Sequence, residues 1–142
     1  MRYLLIVSVF VFTALPAYAC QINDYNQGIN SNFNYNSIAY KTVLPFSRLS
    51  ESKNFDIESG DFPLGFGQII KVAKGLTGKV DNEAKWSVES VGLNKYNYSN
   101  CVYWYYQINM RSNTPNNSYM YLNIGLNGEK PNIYKISEVL IN

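Results

Sequence analysis

The sequence predicts an α+β fold: one principal helix packed on a three- to four-stranded antiparallel meander sheet. Three stretches carry that expectation. Residues 101–111 (Cys-Val-Tyr-Trp-Tyr-Tyr-Gln-Ile-Asn-Met-Arg) are dense in aromatic and β-branched side chains, the composition of a strand. Residues 119–127 alternate polar and apolar side chains, the period of a half-buried strand. Residues 61–76 repeat apolar side chains at helical spacing.

From the start of the chain, residues 1–19 read as an export signal. Arg2 supplies the positive start, residues 4–14 an apolar run, and Ala17-Tyr18-Ala19 the small-x-small cleavage pattern. The run is shorter than the roughly 20 residues of a spanning helix, so cleavage is expected, with no transmembrane span in the mature chain. The expected division is 1–19 signal, 20–60 an Asn- and Tyr-rich segment packed on the domain, and 61–142 the helix-plus-sheet core of a single mature domain. The expected location is periplasmic or extracellular.

Cys20 then opens the mature chain, and two readings compete. In the first it forms a disulfide with Cys101, since export puts an even pair of thiols into an oxidising compartment. In the second it carries a lipid anchor. Leu15-Pro16-Ala17-Tyr18-Ala19-Cys20 resembles a bacterial lipobox in part, but Ala17 and Tyr18 stand where that pattern prefers Leu or Val and a small residue.

Residues 21–40 interleave Asn with Tyr and Phe and read as an extended, loop-like lead, with one short strand near 37–43. Pro45 ends what precedes it, and a short helix anchored by Phe46, Leu49 and Phe55 is expected after Ser47. The principal helix starts with Asp61 as N-cap, tolerates Pro63 in its first turn, and aligns Phe62, Phe66, Ile69, Ile70, Ala73 and Leu76. Gly75 and Gly78 mark its end, and Gly65 and Gly67 read as sites of close packing on the sheet.

The sheet follows. A strand over 85–93 needs a bulge near Ser90 to keep Trp86, Val88, Val91 and Leu93 on one side. Residues 94–100 read as a polar turn into the central strand, and 113–118 as a turn out of it. Met120, Leu122, Ile124 and Leu126 point inward, Asn127-Gly128 is a tight turn, and 131–136 form a last short strand. The helix should cover Trp86, Val88, Trp104, Tyr106, Ile108, Met120, Leu122 and Ile124. This helix-then-meander order over 61–136 looks like PepSY- or cystatin-type exported domains, a topological likeness without a diagnostic motif.

Composition excludes several chemistries. The chain has no His, which removes Ser-His-Asp and Cys-His catalysis and His-ligated zinc. Two Cys cannot make a Cys-only zinc site within one chain. Once the signal and its Arg2 are removed, 11 basic and 10 acidic side chains remain, no footprint for nucleic acid. Asp56, Glu58, Asp61 and Glu89 show no spacing that fixes a catalytic pair, so solvated carboxylates are expected. No catalytic residue, metal or cofactor is assigned.

One surface stands out. Tyr103 and Tyr105 on one strand, with Tyr119 and Tyr121 on the next, would make a tyrosine patch on the outward face of the sheet. The opposing readings are that these cross-strand tyrosines simply stabilise an exposed sheet face, or that residues 21–45 cover them. The expected function is therefore a small exported, non-catalytic bacterial protein that binds a partner protein as an inhibitor, immunity or accessory factor. The alternatives are a carbohydrate-binding or carbohydrate-active envelope protein using the tyrosine face, and a structural envelope lipoprotein anchored through Cys20.

Overall fold

The computed structural model describes residues 27–49, 55–98 and 101–136. The expected signal, Cys20 and the tail from Ser137 lie outside the described residues. The elements run β1 (Gly28–Tyr35), β2 (Ile38–Pro45), α1 (Phe66–Thr77), β3 (Trp86–Tyr98), β4 (Cys101–Ser112), β5 (Tyr119–Gly125) and β6 (Asn132–Lys135), with 3₁₀ turns at Phe46–Arg48 and Ile57–Ser59. The fold is α+β. Among the described residues it has one α-helix and two three-stranded antiparallel sheets, β1-β2-β6 and β3-β4-β5.

The second sheet is the expected meander. Its strands alternate faces along β4, and Tyr106, Ile108 and Met110 are buried beside Met120, Leu122 and Ile124 of β5. The register shifts between Val88 and Ser90, which returns Val91 to the side of Val88. β3 is longer than expected. Residues 94–98 continue the ladder, with Asn94 opposite Tyr105 and Tyr98 opposite Cys101, so most of the stretch expected as a turn is strand. Helix α1 buries Ile69, Ala73 and Leu76 against this face.

The first sheet is the main departure from expectation. The Asn-rich lead is strand β1, because Asn30, Asn32 and Asn34 all fall on its solvent side. Its other side forms cross-strand pairs with β2: Ile29–Leu44, Ser31–Thr42, Phe33–Tyr40 and Tyr35–Ile38. Phe33 and Tyr40 stack at 5.2 Å. Asn36 and Ser37 join the strands with φ of 48° and 63°, the left-handed pair that a two-residue hairpin requires. The last strand, β6, leaves the meander and pairs with β2 instead. Arg48 ties the Phe46–Arg48 turn to β6 by donating to the Lys130 carbonyl and, at 3.3 Å, to Asn132 Oδ1.

Two clusters hold the layers together. Phe33, Tyr35 and Tyr40 join the core under α1, while Ile29, Leu44, Phe46 and Leu49 cover Cys101 and Tyr103 on the other side of β4. Between them in the row lies the polar pair Ser31 and Thr42. There Asn123 Nδ2 of β5 donates to Ser31 Oγ at 2.8 Å.

The helix starts later than its apolar spacing suggests. Gly65, not Asp61, is the N-cap, and Gln68 Oε1 reaches back to accept from the Gly65 N–H at 3.3 Å. Asp56 instead caps the 3₁₀ turn at Ile57–Ser59 by accepting from the Glu58 N–H. Phe62 thus precedes the helix and Phe66 sits at its first position, both exposed. A Cβ at Gly65 or Gly67 would meet nothing within 4 Å, so these glycines face open space and do not serve close packing on the sheet.

Candidate functional site: an aromatic ledge and half a sheet face

The four predicted tyrosines do not form one patch. Register places Tyr119 opposite Arg111 and Tyr121 opposite Asn109, while Tyr105 faces Gly125. Tyr103 is 1% exposed and stacks on Phe46 at 4.9 Å, so it is a core residue and not a surface one. Tyr105 is half-buried against the same cluster, and burial, then the nearby Tyr96, raises its hydroxyl above the ordinary value. Tyr119 and Tyr121 stay on the surface, 42% and 38% exposed.

What remains open is half of that sheet face, two cross-strand rows: Ser87, Arg111 and Tyr119, then Ser90, Asn109 and Tyr121. Arg111 pairs with Glu89 of the bulge at 3.5 Å and donates from Nε to Asn117 Oδ1 at 3.3 Å. Beside them Ser87, Glu89, Arg111, Ser112, Asn113 and Asn117 line an open polar cleft of about 390 Å³. Its groups offer donors and acceptors for a hydroxyl-rich ligand.

A second surface, which helical spacing had assigned to the core, carries the strongest apolar signal. Trp104 and Tyr106 stand on the helix-facing side of β4, and a row of rings continues from them. Phe55 meets Trp104 edge-on at 5.7 Å, Phe62 lies 5.6 Å from Phe55, Phe66 lies 6.5 Å from Phe62, and Phe66 returns edge-on to Tyr106 at 6.1 Å. The Tyr106 hydroxyl donates to the Leu64 carbonyl at 3.0 Å and pins the loop that carries the ledge. Burial raises this hydroxyl above its ordinary value. Phe62 is 41% exposed, Phe66 57% and Ile57 47%. Between the rings Phe62, Leu64, Gly65, Phe66 and Tyr106 enclose an apolar notch of about 60 Å³. The signal available in the sequence was Pro63 with Gly65, which delay the helix start and leave the aromatic neighbours outside.

Cys101 is buried with Ile29, Leu44, Phe46, Leu49 and Tyr103. Among the described residues, no three His, Cys, Asp or Glu side chains gather as metal ligands, and no helix is long and apolar enough to cross a membrane. No protein-family model, curated protein or solved structure matches the chain.

Proposed function

We propose that the mature chain is an exported, non-catalytic module that binds a partner protein through the Phe62–Phe66 ledge. The observation that carries this reading is the exposure of three large apolar side chains, Ile57, Phe62 and Phe66, in one short stretch held by a partly buried hydrogen bond. Contiguous apolar surface of this kind marks interaction sites, and aromatic rings packed edge to edge give contact area at little entropic cost. Export rests on the first 19 residues.

The test is the double substitution Phe62→Ser/Phe66→Ser, purified with its associated proteins from the cells that make it. Because both rings are exposed, the urea midpoint should stay within about 0.5 kcal/mol per site of the parent. The associated protein should be lost. Retention of the same partner by the folded variant would overturn the assignment.

A second reading is favoured by the polar cleft beside Tyr119. In it the open half-face binds a saccharide, with Tyr119 and Tyr121 as platform and Glu89, Arg111 and Asn117 as hydroxyl partners. Tyr119→Ser/Tyr121→Ser should then abolish binding on an array of cell-wall and storage glycans. An array on which the parent itself binds nothing removes this reading.

Cys20 pairs with Cys101 in the proposal. Ile29, nine residues after Cys20, already lies in the cluster that holds Cys101, a separation the intervening chain spans easily at about 3.3 Å per residue. A lipid anchor on Cys20 is the competing outcome, and intact mass separates the two.

A further inference from the structure

We infer that the partner segment seated on the ledge is cationic and amphipathic: a stretch of a protein chain that alternates lysine or arginine with aliphatic or aromatic residues. This rests on the ledge being a protein-binding surface and adds what it selects. The same short stretch that exposes Ile57, Phe62 and Phe66 also exposes Asp56, Glu58 and Asp61. Acidic and apolar side chains interleave there along about a dozen residues. Among the described residues none of these three carboxylates is in an ion pair; the one such pair, Arg111 with Glu89, lies on the other sheet face. Asp56 Oδ1 is engaged only in capping its own turn. At the far end of the ring row Lys95 sits over Trp104 at 5.7 Å, so that end is already matched by a cation, whereas among the described residues Asp56, Glu58 and Asp61 have no cation in ion-pair reach.

The surface therefore presents apolar rings for an aliphatic or aromatic anchor and, along the same stretch, carboxylates outside any ion pair among the described residues for a basic neighbour. An interface with an apolar centre and a charged rim gains rate and selectivity from the rim, and rejects like charge. Gly65 and Gly67 extend the complementarity. Neither has a positive φ and neither packs against anything, so their bare backbone leaves room for a close approach next to Phe66. Anionic lipid is disfavoured by the same three carboxylates. A second copy of the chain would place acid against acid.

The full mature protein should be titrated with three synthetic peptides of equal length: alternating Leu and Lys, alternating Leu and Glu, and alternating Ser and Lys, at two salt concentrations. The Leu/Lys peptide should bind at least tenfold more tightly than either control, and salt should weaken it. Phe62→Ser/Phe66→Ser should remove the Leu/Lys preference over Ser/Lys. Asp56→Asn/Glu58→Gln/Asp61→Asn should remove the preference over Leu/Glu while keeping an apolar response. Equal binding of Leu/Lys and Leu/Glu with loss in the phenylalanine variant overturns the charge inference alone and keeps the ledge. Binding untouched by the phenylalanine variant overturns the ledge itself. Concentration-dependent dimerisation by light scattering, lost in Phe62→Ser/Phe66→Ser, would assign the ledge to a second copy and overturn the inference.

Discussion

At the end of β1 the Tyr35 hydroxyl donates to Asp81 Oδ2 at 2.5 Å, while its ring packs on Trp86 at 5.3 Å. Burial first, and then the facing carboxylate, raises the tyrosine above its ordinary value. The same hydrogen bond, helped by the backbone N–H groups of Glu83 and Ala84, holds Asp81 below the usual carboxylate range. A carboxyl held low in the folded state favours folding above its ordinary value near 4, and that contribution is lost as pH falls through the folded value. The raised tyrosine acts at the other limit: its contribution is complete below about 10 and is lost as pH rises through the folded value. Asp81→Asn should therefore flatten the acid side of the stability profile, measured as the urea midpoint between about pH 5 and about pH 2.5. An unchanged acid slope would contradict this. A second residue-scale case is Gly28, where an added Cβ would lie 2.4 Å from the Leu44 carbonyl oxygen. The atoms it would meet are all backbone of Leu44 and Pro45, which leaves little room to give, so Gly28→Ala should cost about 1–3 kcal/mol in a urea melt. Gly67→Ala, at a position open to solvent inside the helix, should cost nothing or gain up to about 1 kcal/mol.

The ledge is tied to β4 by the hydrogen bond from Tyr106 to Leu64 just ahead of α1, beside the ring contacts Phe55–Trp104 and Phe66–Tyr106. Tyr106→Phe should lower stability by about 1 kcal/mol, with faster amide exchange at Gly65 and Phe66 and weaker partner capture. Exchange unchanged at those two amides would show that the loop is held by other means. The elements differ in how far local pattern disclosed them. β3, β4 and β5 were legible because their alternation is long and their apolar residues are large, and the bulge followed from the phase change between Val88 and Val91. β1 was not, because Asn lowers strand propensity; the informative feature was that Asn30, Asn32 and Asn34 share one side and that Asn36-Ser37 suits a two-residue turn. The helix was legible from Ile69 onward, and its start was not. Phe62 and Phe66 match the core spacing of Ile69 and Ala73, yet the chain bends at Pro63 and Leu64 and is extended at Gly65, so the helix starts only at Phe66 and both rings finish outside. The tyrosine patch failed on register. The turn at 113–118 sets Tyr119 opposite Arg111, and which tyrosines meet across strands depends on that offset rather than on alternation.

At the scale of the whole molecule, pairing between distant segments decides the architecture. β6 joins β2 rather than the adjacent meander, and the first sheet buries Tyr103 and Cys101 under Ile29, Leu44, Phe46 and Leu49. No local pattern names a strand's partner, so the first sheet, β1-β2-β6, was invisible from composition and period. A cross-link from Cys20 to Cys101 would close most of the chain into one loop. Its removal by Cys101→Ser should then cost about 4–5 kcal/mol on the chain-entropy view, and the intact protein should gain the mass of two hydrogens on reduction. A mass raised by acyl chains would assign Cys20 to the membrane instead. Among the described residues the two surfaces that carry the proposals are the polar half-face around Tyr119 and the aromatic ledge, and the ledge exposes the larger apolar side chains. The most direct test of its role is site-specific photo-crosslinking in the cells that make the protein. A benzophenone side chain in place of Phe66 is compared with one in place of Asn32, on the solvent side of β1. Position 66 should yield one discrete protein adduct that position 32 does not. The same adducts from both positions, or none from position 66, would contradict the account.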